Sequence, residues 1–184
     1  MNTHIDQLKY VDTLSKKEKL LRFFWNLVWV FFFRTTPRWC LNGWRIYLLK
    51  LFGAKIGRGS RVLPSCFVWA PWKLTMGEFS VLAEDVECYT MDHITIGSKV
   101  AVSQRSFLCT GSHDITSLKR PLVTKPIVIQ DHAWVCSEAF IGPGVTVFTG
   151  AVIAARAAVF KDVKEWMVVG GNPAQEIKKR EIKD

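Results

Sequence analysis

The chain of 184 residues is 49% apolar and carries a formal charge of +9, which excludes disorder and leaves room for one packed domain with a flanking segment. The charge is unevenly placed: residues 1–61 hold 12 Lys and Arg against 3 Asp and Glu, while residues 62–184 hold 13 of each, so most of the chain offers no basic stripe to a nucleic acid. Five scattered cysteines, with no C-x-x-C pair and no secretory signal ahead of them, exclude a disulfide framework and predict reduced thiols in a cytoplasmic protein.

The first predicted element opens at Ser15-Lys16-Lys17-Glu18, a capping box in which serine and glutamate satisfy each other's backbone amides. The helix runs through Leu20, Leu21 and the apolar stretch Phe23 to Phe33, and stops before Thr36-Pro37 because the residue ahead of a proline disfavours helical geometry. The eleven residues between Arg22 and Arg34 fall short of the ~20 that span a bilayer. A second amphipathic helix is expected over Trp44 to Phe52, ending at Gly53, with Tyr47, Leu48 and Leu51 on one face. Residues 1–53 thus form a basic, aromatic-rich helical segment with two compatible readings. It can cap the first repeat of the domain that follows, or it can lie in a membrane interface as a peripheral contact, with aromatic rings at headgroup level and basic residues on anionic lipid.

Residues 54–170 carry a period of six. Ile129, Val135, Ile141, Val147, Ile153 and Val159 are six apart, and four places after each stands Ala133, Ala139, Val145, Ala151, Ala157 or Val163. The register occurs earlier at Ile96, Val102 and Leu108 with Val100, Ser106 and Ser112, at Met76 and Leu82 with Ser80 and Val86, and at Ile56 and Val62 with Ser60 and Cys66. Six matches neither the 3.6 of a helix nor the 2 of a strand, so it belongs to a strand-and-turn unit with one large and one small inward position, the hexapeptide parallel β-helix. Thirteen such hexads, at three per triangular coil, predict about four coils.

The register is interrupted three times. Two-residue slips fall between Leu74 and Met76 and between Cys88 and Ile96, and the stretch 112–126 must leave the coil and return. Long excursions from a rigid scaffold usually carry function. His113 stands at the mouth of this one, in Cys109-Thr110-Gly111-Ser112-His113-Asp114. Imidazole is the side chain suited to general-base work near neutrality, and a rigid coil beneath it supplies preorganisation. After the last hexads, Asn172 and Pro173 predict the start of a short capping helix over 171–184, with Lys178, Lys179 and Arg180 towards its far end.

The hexads, the Gly-Ser-His-Asp at the excursion, Ala133-Trp134-Val135 after it and the ending Val169-Gly170-Gly171-Asn172-Pro173-Ala174 resemble the hexapeptide-repeat O-acetyltransferases. Arg45 to Gly57, Trp69-Ala70-Pro71-Trp72 and Val102 to His113 are similar to its colanic-acid and exopolysaccharide group. That resemblance implies an all-β fold, a left-handed parallel β-helix, assembled as a homotrimer with active sites between subunits. It also implies acetyl-CoA as donor, a sugar or lipid-linked saccharide hydroxyl as acceptor, no metal, and His113 as general base. Ser137 matches a position whose backbone amide faces the thioester oxygen, a kind of contact worth ~2.7–4 kcal/mol. Trp134 is expected to wall the acyl group, and Ala155, Phe160 and Lys161 to line the pantetheine and nucleotide end of the cofactor. Tyr89 and Asp92, about one coil before His113, are the expected acceptor contacts, with Asp92 or Asp114 orienting the imidazole.

Two rival functions share the fold. A γ-carbonic-anhydrase-like enzyme would need His93, His113 and His132 to converge on zinc. A trimeric scaffold or sugar-binding protein would keep the β-helix without the chemistry.

Overall fold

The structure, a computed structural model, describes residues 14–183; residues 1–13 of the predicted N-terminal segment and Asp184 at the other end lie outside it. The six-residue period is realised as sixteen short strands in three parallel sheets. The first sheet stacks Lys55–Ile56, Leu74–Met76, Ile94–Ile96, Ile127–Ile129 and Thr146–Val147. The second stacks Arg61–Val62, Val81–Leu82, Ala101–Val102, Trp134–Val135, Val152–Ile153 and Met167–Gly170. The third stacks Phe67–Val68, Glu87–Tyr89, Phe107–Cys109, Phe140–Ile141 and Ala158–Val159. The chain visits first, second and third sheet in turn, so each circuit is one coil of a triangular prism.

The predicted inward residues form its core. All six aliphatic residues from Ile129 to Val159 are at most 1% exposed, and their small partners Ala133 to Val163 are buried too. Removing such methyl groups from water at about 25 cal/mol per Å² is the chief stabilising term of each coil. The count of coils needs correction, to five and the start of a sixth rather than four. Val68, Cys88 and Val169 are also buried inward strand residues; each adjoins a stretch where the six-residue spacing lapses, so no small residue at the fourth place announces it.

Every irregularity falls at one corner. Strand partners run Lys55, Thr75, Thr95, Val128 and Thr146, steps of 20, 20, 33 and 18 residues. Three hexads make 18, and within each longer coil the first-to-second and second-to-third steps remain six. The additional residues therefore lie where the chain passes from the third sheet to the first. Buried threonines pin this wide corner: Thr90 Oγ1 accepts from the Ala70 amide at 2.7 Å, and Thr110 Oγ1 donates to the Tyr89 carbonyl at 2.6 Å while accepting from the Asp92 amide at 2.8 Å.

Side chains of the N-terminal helices close the prism. Helix α1, Lys16–Val28, begins with the predicted capping box and continues in a π-helical turn, Trp29–Phe33, marked by the Arg34 amide on the Trp29 carbonyl. The lowest strand of the third sheet has no strand beneath it. Its outer carbonyls accept instead from indoles, Val68 from Trp25 at 2.6 Å and Cys66 from Trp29 at 2.9 Å. Helix α2, Asn42–Leu51, treats the second sheet likewise, with the Asn42 amide group bonded to Ser60 and Val62.

The buried face of α2 is Arg45, Leu48 and Leu49, not Tyr47, Leu48 and Leu51; Tyr47 and Leu51 are more than half exposed. A guanidinium displaces the expected apolar residues because every donor it buries is met: Arg45 donates to Val62 O, Thr36 Oγ1, Pro37 O and Cys40 O. Arg45→Met keeps the aliphatic volume and strands three carbonyls. At about 1–3 kcal/mol for each buried group left unpaired, a loss of about 3 kcal/mol is expected in the midpoint-derived stability of urea unfolding.

The C-terminal capping helix is not formed. Gln175–Lys179 is instead a strand, antiparallel to Met167–Gly170. A helix of a few residues is marginal in water, whereas the outermost strand of the second sheet offers a row of unpaired backbone groups that a hairpin satisfies. Arg180 anchors its end, donating to the carbonyls of His132 and Gly150.

Candidate active site

The excursion after Leu108 is a β-hairpin standing off the wide corner. Gly111–His113 pairs antiparallel with Leu122–Thr124, so Ser112, read from the hexads as an inward residue, is exposed on the hairpin. Gly111 permits the departure, since a Cβ there would meet the Tyr89 ring at 3.0 Å and the Met91 side chain at 3.1 Å. At the tip, the Asp114 carboxylate accepts from the amide and hydroxyl of Thr116 at 2.8 and 2.6 Å. These bonds hold its carboxyl below the usual range.

His113 is exposed, and its Nδ1 lies 2.7 Å from the Arg120 carbonyl. A carbonyl can only accept, so Nδ1 carries the proton and, in the neutral ring, Nε2 presents its lone pair. The orienting group is therefore a backbone oxygen and neither expected carboxylate: Asp114 is engaged with Thr116, and Asp92 accepts from the His93 amide at 2.7 Å. Arg120 takes a left-handed conformation, φ 45°, to turn its carbonyl inward. Nearby Cys109 donates its thiol to the Gly111 carbonyl, and burial pushes its pKa up, which keeps it un-ionised and a poor nucleophile. A cleft of about 370 Å³ opens beside the hairpin, lined by Ser112, Asp114, Val123, Lys125 and Pro143.

The expected acceptor residues share this corner. Tyr89 ends the strand below and Asp92 follows it, and the rings of Trp69, Tyr89, Phe107, Phe140 and Phe160 contact one another in series up the third sheet. Phe160 and Lys161 lie at the same corner two coils above the hairpin, lining a pocket of about 440 Å³.

The other expected donor residues stand elsewhere on the prism. Ser137 and Ala155 are stacked at the corner between the second and third sheets, where the Arg156 amide donates to the Ser137 carbonyl. Beside them Glu138 bridges Arg105 and Arg156, whose guanidinium groups hold its carboxyl low. Trp134 lies on the outer face of the second sheet, half exposed, its indole fixed by a 3.0 Å bond to Ser103 Oγ. It borders a pocket of about 430 Å³ that includes Lys178, Lys179 and Lys183.

A single chain therefore does not gather Trp134, Ser137, Ala155, Phe160 and Lys161 into one track. They fall into two groups on different edges, one with His113 and one without. Ser103 and the Arg120 carbonyl escaped the sequence reading; Ser103 stands 31 residues before Trp134, and a backbone oxygen leaves no trace in residue type. Among the described residues no three His, Cys, Asp or Glu side chains gather as metal ligands, and His132 lies at a different corner from His93 and His113.

No family model matches the chain. It is 43% identical over 156 residues, 85% of each chain, to WcaF of Escherichia coli (strain K12), provisionally named a colanic acid biosynthesis acetyltransferase. Its fold superposes with a TM-score of 0.85 on a hexapeptide-repeat acetyltransferase of Vibrio cholerae O1 biovar eltor complexed with acetyl coenzyme A, at 25% identity and 93% coverage of both chains. A galactoside acetyltransferase in complex with coenzyme A superposes with a TM-score of 0.82 at 20% identity, covering 91% of this chain and 84% of that one.

Proposed function

The chain belongs to the hexapeptide-repeat acetyltransferases, in the colanic acid biosynthesis group, and from that membership we propose that it acetylates a hydroxyl of a sugar or lipid-linked saccharide destined for a cell-surface polysaccharide, using acetyl-CoA in the cytoplasm. His113 is the general base. As the acceptor oxygen attacks the thioester carbonyl, its proton passes to Nε2; the C–S bond then breaks and the same proton leaves with the thiolate, giving an acetyl ester and free coenzyme A. The observation that carries this reading is the Nδ1 bond to Arg120, which leaves Nε2 as the acceptor. The Ser137 amide is suited to the oxyanion of the tetrahedral intermediate. The raised thiol of Cys109 favours direct transfer over an acyl-enzyme.

Separation of the site residues onto two edges supports a homotrimer. The corner bearing His113, Tyr89, Asp92, Phe160 and Lys161 in one copy then faces Trp134, Ser137 and Ala155 of the next, with lysines of the C-terminal hairpin near the coenzyme phosphates. Light scattering is expected to give a mass three times that of the chain.

The function is tested by following thiol release from acetyl-CoA with a panel of free and lipid-linked saccharides. Release that depends on one of them is the expected result. If acetyl-CoA raises the unfolding temperature and yet no saccharide in the panel provokes release above the rate of hydrolysis, the protein is a binding scaffold and the catalytic assignment is wrong.

A further inference from the structure

A helix that packs on a core normally turns a polar face to water, but from Leu20 onward α1 and the π-helical turn after it expose chiefly apolar side chains. Trp25, Trp29 and Phe33 face the coil, while Leu20, Phe23, Leu27, Val30 and Phe31 recur at three- and four-residue spacing on the opposite side, each 41–63% exposed. Trp44, Tyr47 and Leu51 extend the apolar surface onto α2, where the rings of Trp44 and Tyr47 stack at 5.7 Å. Of the twenty-one exposed large apolar side chains of the described residues, twelve lie between Leu20 and Leu51. Such concentration marks an interaction surface rather than scattered exposure.

The charge around it identifies the partner. Residues 14–53 contain eight Lys and Arg and one acidic residue, Glu18. Lys16 and Lys17 stand exposed at one end of the stripe and Arg34 at the other, with Lys50 on α2. A second copy of this chain would set like charge against like charge, whereas an anionic bilayer complements both the apolar stripe and its basic margins. Among the described residues no helix is long and apolar enough to cross a membrane, so the segment can only lie along one.

We propose that the outer face of α1 and α2 docks on the surface of an anionic lipid bilayer, the helices in the plane of the interface and the β-helix standing away from it. Capping and docking thereby use opposite sides of α1. The indoles of Trp25 in α1 and Trp29 in the π-helical turn bond to the Val68 and Cys66 carbonyls at the lowest strand of the third sheet. The strand preceding the His113 hairpin is two coils higher, about 10 Å at ~4.8 Å per coil. Docking brings the reactive corner close to headgroups and to any acceptor tethered there.

The test is co-sedimentation of the full chain with vesicles of phosphatidylglycerol and phosphatidylethanolamine, compared with pure phosphatidylcholine. Wild type is expected to bind the anionic vesicles at least tenfold more tightly, and 0.5 M salt to weaken that binding several-fold, about as far as short-range screening allows. The variant Phe23→Ser/Leu27→Ser/Phe31→Ser should lose at least tenfold in binding with its oligomeric mass unchanged. Lys16→Glu/Lys17→Glu, which keeps every apolar group and favours the helix start, should also bind several-fold more weakly. Equal binding by either variant, or failure of wild type to bind anionic vesicles, overturns the proposal. A change of oligomeric mass in the serine variant, with no vesicle binding by wild type, assigns the surface to contacts between copies instead.

Discussion

Replacing His113 with alanine lowers kcat for acetyl transfer by about 10²–10⁴, the span typical of a lost general base, while acetyl-CoA binding and the unfolding temperature stay near those of wild type. The side chain is exposed, and its strand is held by backbone pairing to Leu122–Thr124, so little of the fold rests on the imidazole. His113→Asn sharpens the test, because its amide can still donate towards the Arg120 carbonyl that now receives Nδ1. If orientation of the hairpin were the contribution, asparagine would restore activity; if proton acceptance by Nε2 is, asparagine is as inactive as alanine. Equal turnover of wild type and His113→Ala with a confirmed acceptor removes His113 from the mechanism.

Trp25→Ala is the most damaging single truncation expected in the helical cap. The ring is fully buried, meets Phe33 edge-on at 6.0 Å and Phe52 at 5.1 Å, and gives its indole proton to Val68. Truncation of a buried tryptophan costs about 3–5 kcal/mol, which for a chain of this length lowers the unfolding temperature by about 6–20 °C. Trp25→Phe keeps a six-membered ring but loses the pyrrole part with its N–H, so about 1–3 kcal/mol of the effect should remain. Circular dichroism during heating reads both. An alanine variant that melts with wild type shows that α1 does not secure the first coil.

Residue type carried the prism well and its ends poorly. From Ile129 to Val159 the ladder was legible because every inward place is aliphatic or alanine and every step is six residues. Val68 and Cys88 were hidden since the chain widens immediately after them, and the turn that follows brings Trp72 or Asp92 where a small residue would announce the repeat. The burial of Arg45 was not legible for a different reason: a guanidinium can be buried only where acceptors await it, and its acceptors include the Val62 carbonyl, 17 residues on, with the Pro37 and Cys40 carbonyls. The final hairpin depends on an open sheet edge that local propensity in Gln175–Lys179 does not encode. The departure of the chain after Leu108 was legible as a break in the register, whereas the bond between His113 Nδ1 and the Arg120 carbonyl was not, because any residue brings the same carbonyl. The partition of Trp134, Ser137 and Ala155 from Phe160 and Lys161 follows from counting strands around the prism, which requires knowing where the extra residues are inserted.

The wide corner also decides where the chain can change length. Strand register elsewhere depends on six-residue steps, so an insertion or deletion within those steps would turn core residues outward throughout a coil. At the third-to-first corner the same change alters only the length of an outward ledge, as the steps of 20, 20 and 33 residues already display. Chain length at Tyr89 to His93 or at the hairpin can therefore change without renegotiating the interior.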